Sequence, residues 1–110
     1  MDNEPSIFTK IINREIPADI LHEDEKCIVI KDINPRAKVH LLIIPKKPIA
    51  TLFDLAPEDK ELMGHMTMLL PQLAKTQKLA GFKTLIHTGK CEGQEIFHIH
   101  IHLMSDSIQS

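Results

Sequence analysis

The sequence predicts an α+β fold, a mainly antiparallel sheet of about five strands with one short and one long helix outside it. Three observations carry this reading. Two short apolar runs, Ile20 to Glu23 and Cys27 to Lys31, flank the turn-forming Asp24-Glu25-Lys26 and read as a hairpin. From Pro57, a residue suited to a first helical position, Leu62, Met66, Leu69, Leu73 and Leu79 trace one helical face. Phe97 to Leu103 alternates strictly between apolar residues and histidine, the period of a strand with two unlike faces. Strands joined by hairpins with helices outside them stack as layers, which is the α+β arrangement.

The elements follow in order. Ser6 is the N-cap of a short helix carrying Ile7, Phe8, Ile11 and Ile12, which ends before Ile16-Pro17 because the residue preceding a proline avoids helical geometry. The hairpin comes next, then a loop at Asn34-Pro35. His40 to Ile44 is β-branched and apolar enough for a central strand, and Pro45 ends it. In the long helix Pro71 lacks the backbone donor and predicts a kink or break, and Gly81 closes the helix. Phe82 to Thr88 reads as a long fourth strand, the Gly89 to Gly93 loop reverses the chain, and Ile96 to Met104 is the last strand. One domain spans residues 1–110, with 1–5 and 105–110 expected as flexible tails.

At 110 residues the chain is sized for a single core and a single active site. The net charge of −2 gives no pull toward polyanions, so nucleic acid is not an expected partner. Cys27 and Cys91 lie far apart without a metal-type spacing, which argues against a disulfide scaffold and for a reducing, cytoplasmic setting. Met1 to Lys10 has acids and Pro5 where a signal peptide needs basic residues and an apolar run, and no stretch reaches membrane-spanning length. No membrane association is expected.

The chemistry lies in the last strand, whose alternation sends His98, His100 and His102 to one face. One reading makes them satisfied packing residues. A second is a metal-dependent site, but at ~3.3 Å per residue His98 and His102 lie about 13 Å apart along a strand, so at most two of the three can share a zinc ion. His40, His87 or an acid would then complete the ligand set. The third reading makes His100 a nucleophile near neutral pH, oriented by a histidine on each side, with the Gly89 to Gln94 loop supplying donors to the oxygens of a phosphate.

His98-Ile99-His100-Ile101-His102-Leu103-Met104, with Gly93-Gln94 just before it, resembles the signature of the histidine triad (HIT) proteins. Ile7-Phe8, Arg14-Glu15-Ile16-Pro17, Asp32-Ile33-Asn34-Pro35, His40, Ile44-Pro45-Lys46-Lys47 and Gly64-His65 extend the likeness to the Hint branch, the purine nucleoside phosphoramidases. The resemblance implies a HIT-like fold, a homodimer, and metal-independent hydrolysis without cofactor of phosphoramidates or aminoacyl adenylates of purine nucleotides such as AMP and GMP. It further implies that His100 takes the nucleotide, His102 protonates the leaving group, His98 orients the nucleophile and His40 is a fourth histidine beside them. Gly93, Gln94 and Glu95 would approach phosphate, Asp32 the ribose hydroxyls, and Ile33, Phe8 and Ile30 the purine. His87 stands where Hint proteins usually have asparagine, Glu95 where serine is frequent, and Ser105 to Ser110 replaces a glycine pair and tail that shape specificity. Diadenosine-polyphosphate hydrolysis and a non-catalytic nucleotide-binding regulatory module are the remaining alternatives.

Overall fold

The computed structural model describes residues 6–109; residues 1–5, where the first tail is expected, and Ser110 lie outside the described residues. Helix α1 (Ile7–Ile12) starts where the Ser6 side chain accepts the Thr9 backbone N–H, as its N-cap role requires. Strands β1 (Ile20–Glu23) and β2 (Cys27–Lys31) form the expected hairpin, and Asp24 shapes its turn by accepting the N–H groups of Lys26 and Cys27. Strand β3 (Val39–Pro45), helix α2 (Lys60–Thr76), β4 (Lys83–Leu85) and β5 (Ile101–Ser105) complete the chain. The sheet order is β1-β2-β3-β5-β4, with every neighbouring pair antiparallel.

Alternation sorts the sheet into two packed faces. Cys27, Val29, Leu41, Ile43, Ile101 and Leu103 meet Met66, Leu69 and Leu73 of α2. Ile28, Ile30, Leu42 and Ile44 point the other way, toward Phe8 and Ile11 of α1. Leu42 pairs with His102 across β3 and β5, so His102 shares the α1 face while its neighbours Ile101 and Leu103 face α2. Burying each large apolar side chain contributes about 1.5–3 kcal/mol, so a one-residue slip that turned histidine into the α2 layer is strongly disfavoured.

Five expectations are corrected. Helix α2 continues through Pro71, which is exposed; the ring costs one backbone bond on the solvent side without interrupting the element. The chain leaves α2 through Lys78, at φ 58, and not through Gly81, so Leu79 lies beyond the helix. Strand β4 stops at Leu85, because the chain then bends to place His87 Nδ1 2.9 Å from the Glu92 carbonyl. Strand β5 starts only at Ile101: the segment before it bonds to the chain beyond β3, with Ile99 N–H donating to the Ile49 carbonyl at 2.7 Å. Residues 105–109 are no free tail, since Ser105 ends β5, Ala80 N–H donates to the Ser107 carbonyl and Gln109 N–H to the Lys78 carbonyl, both at 2.7 Å. Among the described residues no helix is long and apolar enough to cross a membrane.

Candidate active site

The three alternating histidines are all buried on the α1 face, although only His102 belongs to regular strand. Their hydrogen-bond partners assign the tautomers. His100 Nδ1 lies 2.8 Å from the His98 carbonyl, which can only accept, so Nδ1 carries the proton and Nε2 keeps a lone pair. His98 Nε2 donates to the Pro45 carbonyl at 2.7 Å, and its Nδ1 accepts from Ser6 Oγ at 3.0 Å and Thr9 Oγ1 at 3.3 Å. The His98 ring therefore ties α1 to the end of β3, while its main chain holds His100.

A second chain of bonds ends on His102. The Arg36 backbone N–H donates to His40 Nδ1 at 3.1 Å, so the His40 proton sits on Nε2 and is donated to His102 Nδ1 at 2.9 Å. His102 then carries its own proton on Nε2, a buried atom with no partner among the described residues. The His100 and His102 ring centroids are 4.9 Å apart. A lone pair on one ring and an unpaired N–H on the next thus stand side by side. Phe8 packs edge-on against His100 at 4.9 Å and restrains its plane.

Burial holds these rings uncharged. It is the main cause that pushes His40, His98 and His100 below their ordinary value, and it lowers His102 to about 4, with the neighbouring imidazoles of His100, His40 and His87 adding to the effect and Asp32 opposing it.

His100 and His102 open onto a cavity of about 560 Å³, within the range of small-molecule sites. The structure brings Phe8, Ile30, Asp32, Ile33, His87, Gly93 and Glu95 to its wall. Phe8 and Ile30 are buried, whereas Ile33 is 85% exposed at the mouth. Asp32 uses Oδ1 to accept the Asn34 N–H at 2.8 Å and places Oδ2 3.3 Å from His40 Nε2. Gly93 has φ 96, and a β-carbon there would lie 3.1 Å from His87 Nδ1, so glycine lets the loop close over that ring.

Gln94 is not brought to the cavity. It is buried, its Oε1 accepts the Gly89 N–H, and its Nε2 donates to the carbonyls of Ala50 and Ile96, so its amide braces the loop. Sequence reading missed Arg36, which lines the mouth and whose backbone fixes His40, and missed Ser6 and Thr9 as partners of His98. Only the position of Arg36 directly after the Asn34-Pro35 loop hinted at its place.

Asp32, His40 and His102 also offer three donor atoms within 4.8 Å of one another, the one grouping at this site, among the described residues, that suits a metal ion.

Comparison with known proteins bears on the same residues. The family model described as scavenger mRNA decapping enzyme C-term binding matches residues 5–110. Protein HitA of Neisseria gonorrhoeae is 50% identical over 109 residues, covering 98% of this chain and 100% of that protein. The purine nucleoside phosphoramidase of Escherichia coli (strain K12) is 39% identical over 103 residues, 92% of this chain and 87% of that one. Among solved structures, a HIT family hydrolase from Legionella pneumophila Philadelphia 1 superposes with a TM-score of 0.90 at 37% identity, covering 96% of each chain. A HIT family hydrolase from Clostridium thermocellum gives 0.91 at 36% identity over 99% of this chain and 96% of that one. With its imidazoles on one face, its five-stranded antiparallel sheet and these relatives, the chain belongs to the histidine triad family.

Proposed function

We propose that this protein hydrolyses the P–N bond of purine nucleoside phosphoramidates, and the related acyl–phosphate bond of aminoacyl adenylates, through a nucleotide carried covalently on His100. The observation that supports this best is the tautomer pair: a free Nε2 lone pair on His100 beside an unpartnered Nε2–H on His102. The anionic substrate brings a second proton onto His102 as it binds. In the first step His100 Nε2 bonds to phosphorus, the P–N bond breaks, and the leaving nitrogen takes the Nε2 proton of that imidazolium, leaving His102 neutral. In the second step water attacks the same phosphorus, gives its proton back to His102, and the N–P electron pair returns to His100. The reaction uses no metal or cofactor.

The cavity wall matches the parts of a purine nucleotide. Phe8, Ile30 and Ile33 offer apolar surface to the base, Asp32 a carboxylate to the ribose hydroxyls, and Gly93, Glu95, His87 and Arg36 flank the phosphate. The rival is a metal held by Asp32, His40 and His102, favoured only by the proximity of their donor atoms. Adenosine 5′-phosphoramidate should be turned over after exhaustive chelation, and a quenched reaction should carry a nucleotidyl group on His100 by peptide mass spectrometry. Activity that chelation abolishes and added metal restores supports the rival instead; tight AMP binding without turnover supports a regulatory module.

We further infer a homodimer through β4, as the Hint likeness implies. All three β4 residues are exposed on an edge strand beside exposed Phe82, and such an edge pairs readily with another. Sedimentation equilibrium should return twice the 12.5 kDa chain mass, and Leu85→Lys should lower it. A wild-type monomer at micromolar concentration refutes the assembly.

A further inference from the structure

On the face of the sheet opposite the triad, four side chains with metal-binding atoms converge where the β1–β2 hairpin meets α2. His22 belongs to β1, Asp24 to the hairpin turn, Cys27 opens β2, and His65 lies in the first half of α2. Asp24 Oδ2 is 2.7 Å from Nε2 of His22, 2.7 Å from Nε2 of His65 and 3.8 Å from Cys27 Sγ. Its other oxygen is fixed by the backbone N–H groups of Lys26 and Cys27, so the carboxylate cannot turn away. The donor atoms of Asp24, Cys27 and His65 all lie within 4.8 Å of one another. Cys27 is fully buried, whereas the side chains of Asp24, His22 and His65 keep 26%, 34% and 32% of their exposure, which leaves an ion an entry path.

We propose that this cluster binds one zinc-class divalent ion through Asp24, Cys27 and His65, with His22 orienting the Asp24 carboxylate, clamping the hairpin to α2. A mixed set of imidazole nitrogen, thiolate sulfur and carboxylate oxygen selects zinc or a similar borderline ion over calcium or magnesium, which need oxygen alone. Tetrahedral zinc, with bonds of about 2.0–2.3 Å, sets its donors roughly 3.3–3.8 Å apart. The oxygen-to-sulfur separation already fits, and the His65 ring must withdraw from Asp24 by well under about 1 Å, which its partial exposure allows. A purely structural His-Asp-His network explains the two short hydrogen bonds but gives no reason for the sulfur on the same side of the carboxylate. Burial and then the Asp24 charge push the Cys27 thiol up to about 12, so the ion must displace its proton; a coordinated divalent charge does so. The site is separate from the hydrolytic machinery, and its occupancy is independent of turnover at His100.

The test titrates the chelator-stripped, full-length protein with zinc chloride by calorimetry and with cobalt chloride by visible absorption, in wild type, His65→Ala, His22→Ala and His102→Ala. His102→Ala removes the other grouping of donors. One zinc ion per chain is expected in wild type and in His102→Ala, with affinity falling at least about tenfold in His65→Ala and His22→Ala. Bound cobalt should give the intense tetrahedral spectrum with sulfur-to-metal charge transfer, and zinc should raise the melting temperature of wild type but not of His65→Ala. No uptake, binding lost in His102→Ala but kept in His65→Ala, or a weak octahedral cobalt spectrum without charge transfer each overturns the proposal. Both histidine substitutions are at partly exposed positions, so melting curves of the metal-free variants confirm that they fold.

Discussion

His100→Ala is expected to lower kcat for adenosine 5′-phosphoramidate by about 10³-fold or more, the scale seen when a covalent nucleophile is removed. AMP affinity should change little, because Phe8, Ile30 and Asp32 still line the cavity. His98→Ala should behave differently. Its main-chain carbonyl, which holds the His100 proton, survives the substitution, whereas the ring that bonds Ser6, Thr9 and Pro45 does not. Its damage should therefore fall on stability, with kcat reduced far less than in His100→Ala. Steady-state kinetics, AMP calorimetry and urea unfolding separate the two variants. Near-normal turnover in His100→Ala would end the covalent mechanism.

Acidification should unfold the protein earlier than its carboxylates alone require. His40, His98, His100 and His102 are all held below their ordinary value, chiefly by burial, so the unfolded chain binds protons that the folded chain refuses. The sign follows directly: this stability is complete above about pH 6.5 and is lost as pH falls from there toward the folded values. For His102, lowered to about 4, the loss runs from roughly pH 6.5 to pH 4 and amounts to something on the order of 3 kcal/mol. Asp24 adds a later loss. Burial raises its carboxyl, but hydrogen bonds from His22, His65 and the Lys26 and Cys27 backbones outweigh that and leave it well below the usual range, so its contribution fades below about pH 4. Urea midpoints at pH 7.5, 6, 5 and 4 check this, and an unchanged midpoint between 7.5 and 5 contradicts it.

What could be read from sequence was local in cause. Ser6, the Asp24-Glu25-Lys26 turn and the apolar runs beside it delimit α1, β1 and β2 by capping and periodicity alone. The long helix was legible from its apolar face, yet its end was not. The sharp reversal at Lys78 is held by tertiary pairing, with Leu79 bridging Ile108, which no composition rule anticipates. The same pairing turns the expected C-terminal tail into an ordered strap.

The site divides along the same line. Alternation picked out the three histidines, because a period of two is written in consecutive residues. Asp32 was named only through resemblance, and His40 otherwise only as a candidate metal ligand, since their link to His102 depends on β3 lying beside β5. For Gln94 the loop composition gave no sign that its amide braces Gly89, Ala50 and Ile96 away from the cavity wall. The Asp24 cluster was illegible for the plainest reason: His65 meets Asp24 from 41 residues away.

The carbonyl that holds the His100 proton belongs to the main chain, and every amino acid carries the same group. Which nitrogen of His100 keeps its lone pair is thus insulated from mutational drift at position 98. The His102 proton has no such insurance, because it is set by the His40 ring and disappears with it. Lineages that keep His100 but lose His40 should accordingly retain nucleotide capture while leaving-group chemistry decays first.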